Sequence, residues 1–129
     1  MEPTPKQTVL LIDDDGIIRA VLKSILRGEG YRVLEEASNG EAGVAMCARY
    51  LPDLVLLDIN LPKMSGLEVL EQIREKSPKS VVLMVSGEIT KQSIDEAMKK
   101  GAAGFMVKPI TAASLLAKVA RCLDAGKGS

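Results

Sequence analysis

Three unbroken apolar runs stand out along the chain: Val9-Leu10-Leu11-Ile12, Leu54-Val55-Leu56-Leu57 and Val81-Val82-Leu83-Met84-Val85. Continuous rather than alternating hydrophobicity suits strands covered on both faces, as in a parallel sheet flanked by helices. Two weaker runs, Tyr31 to Glu36 and Gly104 to Val107, bring the set to five. Between the runs the apolar period lengthens. Ile17, Ile18, Val21, Leu22, Ile25 and Leu26 form one helical stripe, and Leu115, Leu116, Val119, Ala120 and Leu123 repeat its spacing near the C-terminus.

The punctuation agrees with that alternation. Ser38-x-x-Glu41 reads as a capping box that opens the second helix. Gly28-Glu29-Gly30 closes the first helix, and Gly101 closes the fourth after Lys99 and Lys100, cations suited to a helix C-terminus. Thr111 is placed to cap the fifth helix behind Pro109. The fourth helix, Lys91 to Lys100, has a thin apolar set of Ile94, Ala97 and Met98, which suits an exposed, adjustable element. The pattern predicts an α/β fold of (βα)5 form, a doubly wound five-stranded parallel sheet with helices on both faces. It predicts one domain over 8–125, with a disordered tail at 1–7 and another tail at 126–129.

Composition narrows the chemistry. The chain has 129 residues, 17 Lys+Arg against 17 Asp+Glu, no histidine, no tryptophan, two tyrosines and one phenylalanine. The missing histidine excludes Ser-His-Asp and Cys-His catalysis, His-ligated zinc and a phosphohistidine on this chain. Zero net charge and scarce aromatics argue against nucleic acid as a partner. Cys47 and Cys122 lack metal-knuckle or redox spacing and read as small buried hydrophobes in a reducing compartment. No signal-peptide stretch and no apolar run of about 20 residues is present, so the expectation is a cytoplasmic protein with no membrane partner.

In such a sheet the functional crevice lies outside the carboxyl ends of the strands. The first strand ends in Asp13-Asp14-Asp15 and the third in Asp58, followed by Ile59-Asn60-Leu61-Pro62. The fourth ends in Ser86-Gly87-Glu88 and the fifth in Lys108-Pro109. Two carboxylates ~4 Å apart repel by roughly 4 kcal/mol at an effective dielectric of 20, so clustered acids need a cation or a proton. An all-oxygen site with room for water and phosphate fits Mg²⁺. Taken singly, each of these residues is equally a solvated turn or a helix cap. Their coincidence at one end of neighbouring strands favours a site.

The same residues carry a resemblance. Leu10-Leu11-Ile12-Asp13-Asp14-Asp15 comes first, then Pro52-Asp53-Leu54-Val55-Leu56-Leu57-Asp58-Ile59-Asn60-Leu61-Pro62-x-Met64-x-Gly66. Met84-Val85-Ser86-Gly87-Glu88 and Gly101-Ala102-x-Gly104-Phe105-x-x-Lys108-Pro109 follow. In this order and spacing they resemble the receiver domain of bacterial two-component response regulators, from about Thr8 to Asp124. The resemblance implies a flavodoxin/CheY-like fold with strand order 2-1-3-4-5. It also implies a stand-alone receiver without an output domain of its own, and a signalling protein rather than a turnover enzyme.

It further implies that Asp58 is the phosphoacceptor, taking a phosphoryl group from a sensor histidine kinase or a His-phosphotransfer protein. Asp13, Asp14, Asp58 and the Asn60 backbone carbonyl would hold Mg²⁺, with Mn²⁺ as an alternative, leaving the Asn60 side chain free to vary. Ser86 and Lys108 would contact phosphoryl oxygens. Ser86 and Phe105 would form the switch, and Pro109 would follow a cis peptide bond. Asn60 and Glu88 would tune dephosphorylation toward a short-lived phosphoryl group. An output protein would read the face made by helix four, strand five and helix five. Gly16 and Ser65 depart from the family's frequent proline and aspartate, and Asp15 has no assigned role beyond solvation.

A flavin module shares the architecture, but the acidic loop after Ile12 suits no flavin phosphate. An aspartyl phosphatase would want a second acid two residues after the nucleophile, where Asn60 stands. A degenerate receiver would lack part of the phosphorylation set, which is complete here.

Overall fold

The unbroken apolar runs become the strands at the centre of the molecule. The computed structural model describes residues 7–127, with side chains through residue 125. Among these residues strands and helices alternate: β1 (Thr8–Ile12), α1 (Gly16–Gly28), β2 (Arg32–Ala37), α2 (Gly40–Tyr50), β3 (Leu54–Asp58), α3 (Gly66–Lys76), β4 (Val81–Ser86), α4 (Lys91–Lys99), β5 (Gly104–Val107) and α5 (Ala112–Lys127). The strands pair in parallel in the order β2-β1-β3-β4-β5. This is the expected doubly wound arrangement. The tail expected at 1–7 lies outside the described residues except for Gln7. Of the one expected at 126–129, Gly126 and Lys127 continue α5 and the last two residues lie outside.

Successive side chains on a strand point to opposite faces, so each run feeds two apolar layers. Leu10, Ile12, Val55, Leu57, Val82 and Met84 pack against Val44, Cys47, Val69, Leu70, Ile73 and Ala97 from α2, α3 and α4. Val9, Leu11, Leu54, Leu56, Leu83 and Val85 pack against Leu22 and Leu26 of α1 and Leu115, Val119 and Leu123 of α5. Each fully buried Leu, Ile or Val contributes about 1.5–3 kcal/mol relative to exposure, which makes these layers the main source of stability. Cys47 and Cys122 are buried and unpaired. Burial pushes the Cys47 thiol up to about 12, so it packs as a hydrophobe and is not a nucleophile.

Two sequence expectations need correction. The six-residue stripe on α1 is wider than its contact with the sheet: Leu22 and Leu26 are buried, while Ile17 and Val21 are 76% and 44% exposed. The helix meets the sheet along the line through Leu22 and Leu26, with Ile18 and Ile25 partly buried beside it, while Ile17 and Val21 turn to solvent. The cap of α2 is Asn39, not Ser38, with Asn39 Oδ1 accepting from Ala42 N–H at 2.8 Å. The helix starts one residue later than a Ser38 box requires, and Asn is as good a cap as Ser. A reciprocal capping box does occur on α4, where Thr90 and Ser93 each accept from the other's N–H at 3.0 Å.

Helix ends otherwise follow the sequence. Gly101 closes α4 with φ 101, a conformation that favours glycine, and a Cβ there would stand 2.9 Å from Arg74 Nε, which would have to shift. Ser114 N–H donates to Thr111 Oγ1 at 3.2 Å at the start of α5. Among the described residues no helix is long and apolar enough to cross a membrane.

Candidate functional site

Parallel pairing brings every strand's carboxyl end to one rim, and four strands deliver polar residues there. Asp13 follows β1, with its N–H on the Ala37 carbonyl at 3.0 Å. Asp58 is the last residue of β3 and Ser86 the last of β4. Lys108 follows β5, its N–H on the Ser86 carbonyl at 2.8 Å. Asp13, Asp58 and Ser86 are buried, whereas Asp14 is exposed.

The acids converge. Asp13, Asp14 and Asp58 each offer a carboxylate oxygen within 4.8 Å of the others. Lys108 Nζ bridges two of them, 2.9 Å from Asp13 Oδ2 and 3.3 Å from Asp58 Oδ2. One ammonium against three carboxylates leaves the rim with surplus negative charge. Burial raises the Asp58 pKa above the ordinary carboxylate value; the Asn60 N–H opposes that rise, Asp13's charge adds to it and Lys108 opposes it. Burial works against the Lys108 ammonium, but Asp13 and then Asp58 outweigh it, so its pKa lies above the ordinary value. The donor set is oxygen only, which fits a hard divalent cation and not a thiolate- or imidazole-seeking metal.

Around this centre the loops are closely specified. Asn60 N–H donates to Asp58 Oδ1 at 3.0 Å. The Asn60 side chain is engaged as well: its Nδ2 donates to Ser86 Oγ at 3.1 Å. Ser86 Oγ also donates to the Glu88 carbonyl at 3.0 Å and accepts from the Glu88 N–H at 3.3 Å. The hydroxyl is thus tied to the β3–α3 and β4–α4 loops. Gly66 folds back on the end of β3, where a Cβ would lie 2.4 Å from Asp58 O and 2.5 Å from Ile59 Cα. Ser65 caps α3 by accepting from Glu68 N–H at 3.3 Å. By contrast a Cβ on Gly87 would meet nothing within 4 Å, so that side of the pocket is open.

The remaining expected site residues take different places. Phe105 is half-buried on β5 against the layer that contains α2, α3 and α4. The Lys108–Pro109 peptide bond is cis. Asp15 has a structural role that the sequence left blank. Its carboxylate caps α1, accepting from Ile17 N–H at 2.9 Å and Ile18 N–H at 3.3 Å, while its own N–H donates to Asp13 Oδ1 at 2.9 Å.

Two residues near the acids were not singled out from sequence. Arg19 Nη1 donates to the Asp13 carbonyl at 2.5 Å, and its Nε pairs with Glu36 Oε1 at 2.9 Å. Lys23 Nζ takes the other Glu36 oxygen at 2.6 Å. The only sequence signal was Arg19 and Lys23 four apart on α1, a spacing common on any solvated helix.

Comparison with known proteins agrees with this fold. The sequence model of the response regulator receiver domain matches residues 9–120. The chemotaxis protein CheY of Listeria monocytogenes is 39% identical over 108 residues, covering 84% of this chain and 91% of that protein. A CheY-like receiver domain from Methanospirillum hungatei superposes with a TM-score of 0.90 at 31% identity, covering 97% of this chain and 98% of that one. CheY of Borrelia burgdorferi, solved as a CheX-CheY-BeF3-Mg complex, gives a TM-score of 0.88 at 32% identity, covering 91% and 89%. The chain spans about half (51%) of the length of other curated relatives, nitrate/nitrite response regulators 38% identical to it.

Proposed function

The chain belongs to the response regulator receiver family, a signalling family, and from that premise we propose that it accepts a phosphoryl group on Asp58 in a Mg²⁺-dependent reaction. The observation that carries this reading is the grouping of Asp13, Asp14 and Asp58 within 4.8 Å, with Lys108 Nζ 3.3 Å from Asp58. A buried carboxylate beside two further acids and one amine is poorly explained as a stabilising device. It is well explained as a nucleophile awaiting a cation and an anionic substrate.

An Asp58 carboxylate oxygen attacks phosphorus, the bond from phosphorus to the donor imidazole breaks, and the histidine leaves with that bond's electron pair. With no histidine in this chain, the donor belongs to a sensor kinase or a His-phosphotransfer protein. Asp13, Asp14, Asp58 and the Asn60 carbonyl would hold Mg²⁺, or Mn²⁺, and the ion would supply positive charge against the phosphoryl oxygens. Lys108 turns from Asp58 to a phosphoryl oxygen. The open side at Gly87 admits donor and water, and Asn60 and Glu88, flanking that side, set a short phosphoryl lifetime.

Ser86 cannot donate to the phosphoryl group and to Glu88 at once, so phosphorylation draws its hydroxyl away from the β4–α4 loop. Released, that loop and Phe105 shift toward an alternative arrangement already accessible to the protein. An output protein reads the change on the α4–β5–α5 face, where Met98 and Val107 are exposed. The chain works in the cytoplasm as a switch and not as a turnover enzyme.

The test is incubation with Mg²⁺ and acetyl phosphate followed by intact-mass measurement. One phosphoryl adduct on the wild type and none on Asp58→Ala is the expected result. No wild-type adduct, or an undiminished one on the variant, would falsify the assignment.

A further inference from the structure

We propose that Arg19 is a positioning residue for the metal-binding acids, fixing the peptide that joins Asp13 to Asp14; this rests on the Mg²⁺-dependent reading above. The backbone of residue 13 is held from both sides. Its N–H is bound to β2 through the Ala37 carbonyl at 3.0 Å, and its carbonyl to α1 through Arg19 Nη1 at 2.5 Å. The guanidinium is itself anchored. Its Nε lies 2.9 Å from Glu36 Oε1, and Lys23 Nζ holds the second Glu36 oxygen at 2.6 Å. Glu36 sits beside Leu11 in the register of the β1–β2 pair, one residue before Ala37. A single short stretch of β2 therefore supplies both clamps.

The two acids depend on this arrangement unequally. The Asp13 carboxylate has partners of its own, the Asp15 N–H at 2.9 Å and Lys108 Nζ at 2.9 Å. Asp14 is exposed, and among the described residues its side chain has no hydrogen bond or ion pair. Its carboxylate position is inherited from the backbone before it. Arg19 is the side chain that sets the orientation of that peptide, because the Asp13 carbonyl it holds belongs to the same plane as the Asp14 N–H. Partners behind the ligands commonly govern metal affinity in this way.

The sign of the Arg19 substitution separates positioning from simple electrostatics, and Glu36→Ala tests the anchor behind it. Through space, Arg19→Ala removes a cation from beside the acids and would tighten Mg²⁺ binding, while Glu36→Ala removes an anion and would weaken it. Positioning requires both to weaken it. The experiment is calorimetric titration of Mg²⁺ into the full chain, below the Tm of every variant, with Tm recorded alongside. The expected result is about tenfold weaker binding for Arg19→Ala and a smaller loss in the same direction for Glu36→Ala.

Ser80→Ala, which strips the Pro52 carbonyl of a buried partner at the opposite rim, serves as control: Tm falls and Mg²⁺ affinity does not. Should Arg19→Ala melt too low for titration, Arg19→Lys takes its place. Lysine lacks the planar fork with which the guanidinium spans the Asp13 carbonyl and Glu36, so its binding is also weaker. Affinity equal to or tighter than wild type in the Arg19 variant overturns the positioning role alone. Failure of the wild type to bind Mg²⁺ saturably overturns the proposed function, and this inference with it.

Discussion

The two rims of the sheet handle polar residues in opposite ways. At the rim where the strands begin, partners close on one another. Asp53 Oδ2 accepts from both the N–H and the hydroxyl of Thr8, at 2.8 and 2.9 Å, and Thr8 Oγ1 accepts from Asp53 N–H at 3.0 Å. The buried hydroxyls of Ser77 and Ser80 pair at 2.6 Å, Ser80 reaches the Pro52 carbonyl, and Arg74 Nη1 donates to Ser80 O at 2.9 Å. At the rim where the strands end, three carboxylates crowd together and one ammonium pairs with two of them. The first arrangement satisfies donors and acceptors locally and so adds to stability. The second keeps like charges together, which the fold tolerates because the layers beneath supply the stability. The unbalanced rim is the one where the proposed cation and phosphoryl group would act, and the balanced rim is where the chain holds itself together.

Substitutions can break that comparison, and the largest effect belongs to the acid rim. Asp58→Asn should abolish phosphoryl incorporation and yet raise Tm in metal-free buffer, because it removes one buried acid from beside Asp13. Asp53→Asn should lower Tm and leave incorporation intact. Intact mass and thermal melts on the two variants decide it; a lower Tm for Asp58→Asn would put the two rims on the same footing. Next in size is Gly66→Ala, whose Cβ would overlap Asp58 O, for an expected destabilisation of about 3 kcal/mol. Gly87→Ala, facing open space, should stay within about 0.5 kcal/mol of wild type. Urea titration of the pair measures how rigid the backbone is where the charges are not balanced.

Smaller again is the balanced rim's own contribution. Ser80→Ala strips the Pro52 carbonyl of its partner and should cost about 1–3 kcal/mol with no change in phosphorylation. The smallest effect is on acid stability. Lys23, then Arg19, holds the Glu36 carboxyl below its ordinary value of 4.5. A carboxyl lowered in the folded state contributes stability that is complete above the unfolded value and is lost as pH falls through the folded one. Glu36→Gln should therefore flatten the decline of Tm below about pH 4.5 relative to wild type. Parallel melting curves at acid pH would remove Glu36 from the account.

Much of this was legible in the chain because it rests on local rules. Continuous apolar runs such as Leu54 to Leu57 can be satisfied only between two layers, and acids placed just after them must emerge at one edge. Reading errors arose where neighbours compete. Ser38 and Asn39 are both able caps, and only the start of α2 against the sheet chose Asn39. Ile17 belongs to the apolar stripe by period, but at the start of α1 its side chain is left exposed.

The sequence by itself determined the class of the fold, the strand set, and the gathering of Asp13, Asp14, Asp58, Ser86 and Lys108 at one end. Those follow from periodicity and chain order, which act over a few residues. Only the tertiary structure decided which atoms meet across the site. Arg19 on the Asp13 carbonyl, Asn60 on the Ser86 hydroxyl and Lys108 between two acids join residues 6, 26, 50 and 95 positions apart. Such contacts depend on helix tilt, loop path and rotamer, which are settled by packing the whole chain and leave no period in the sequence.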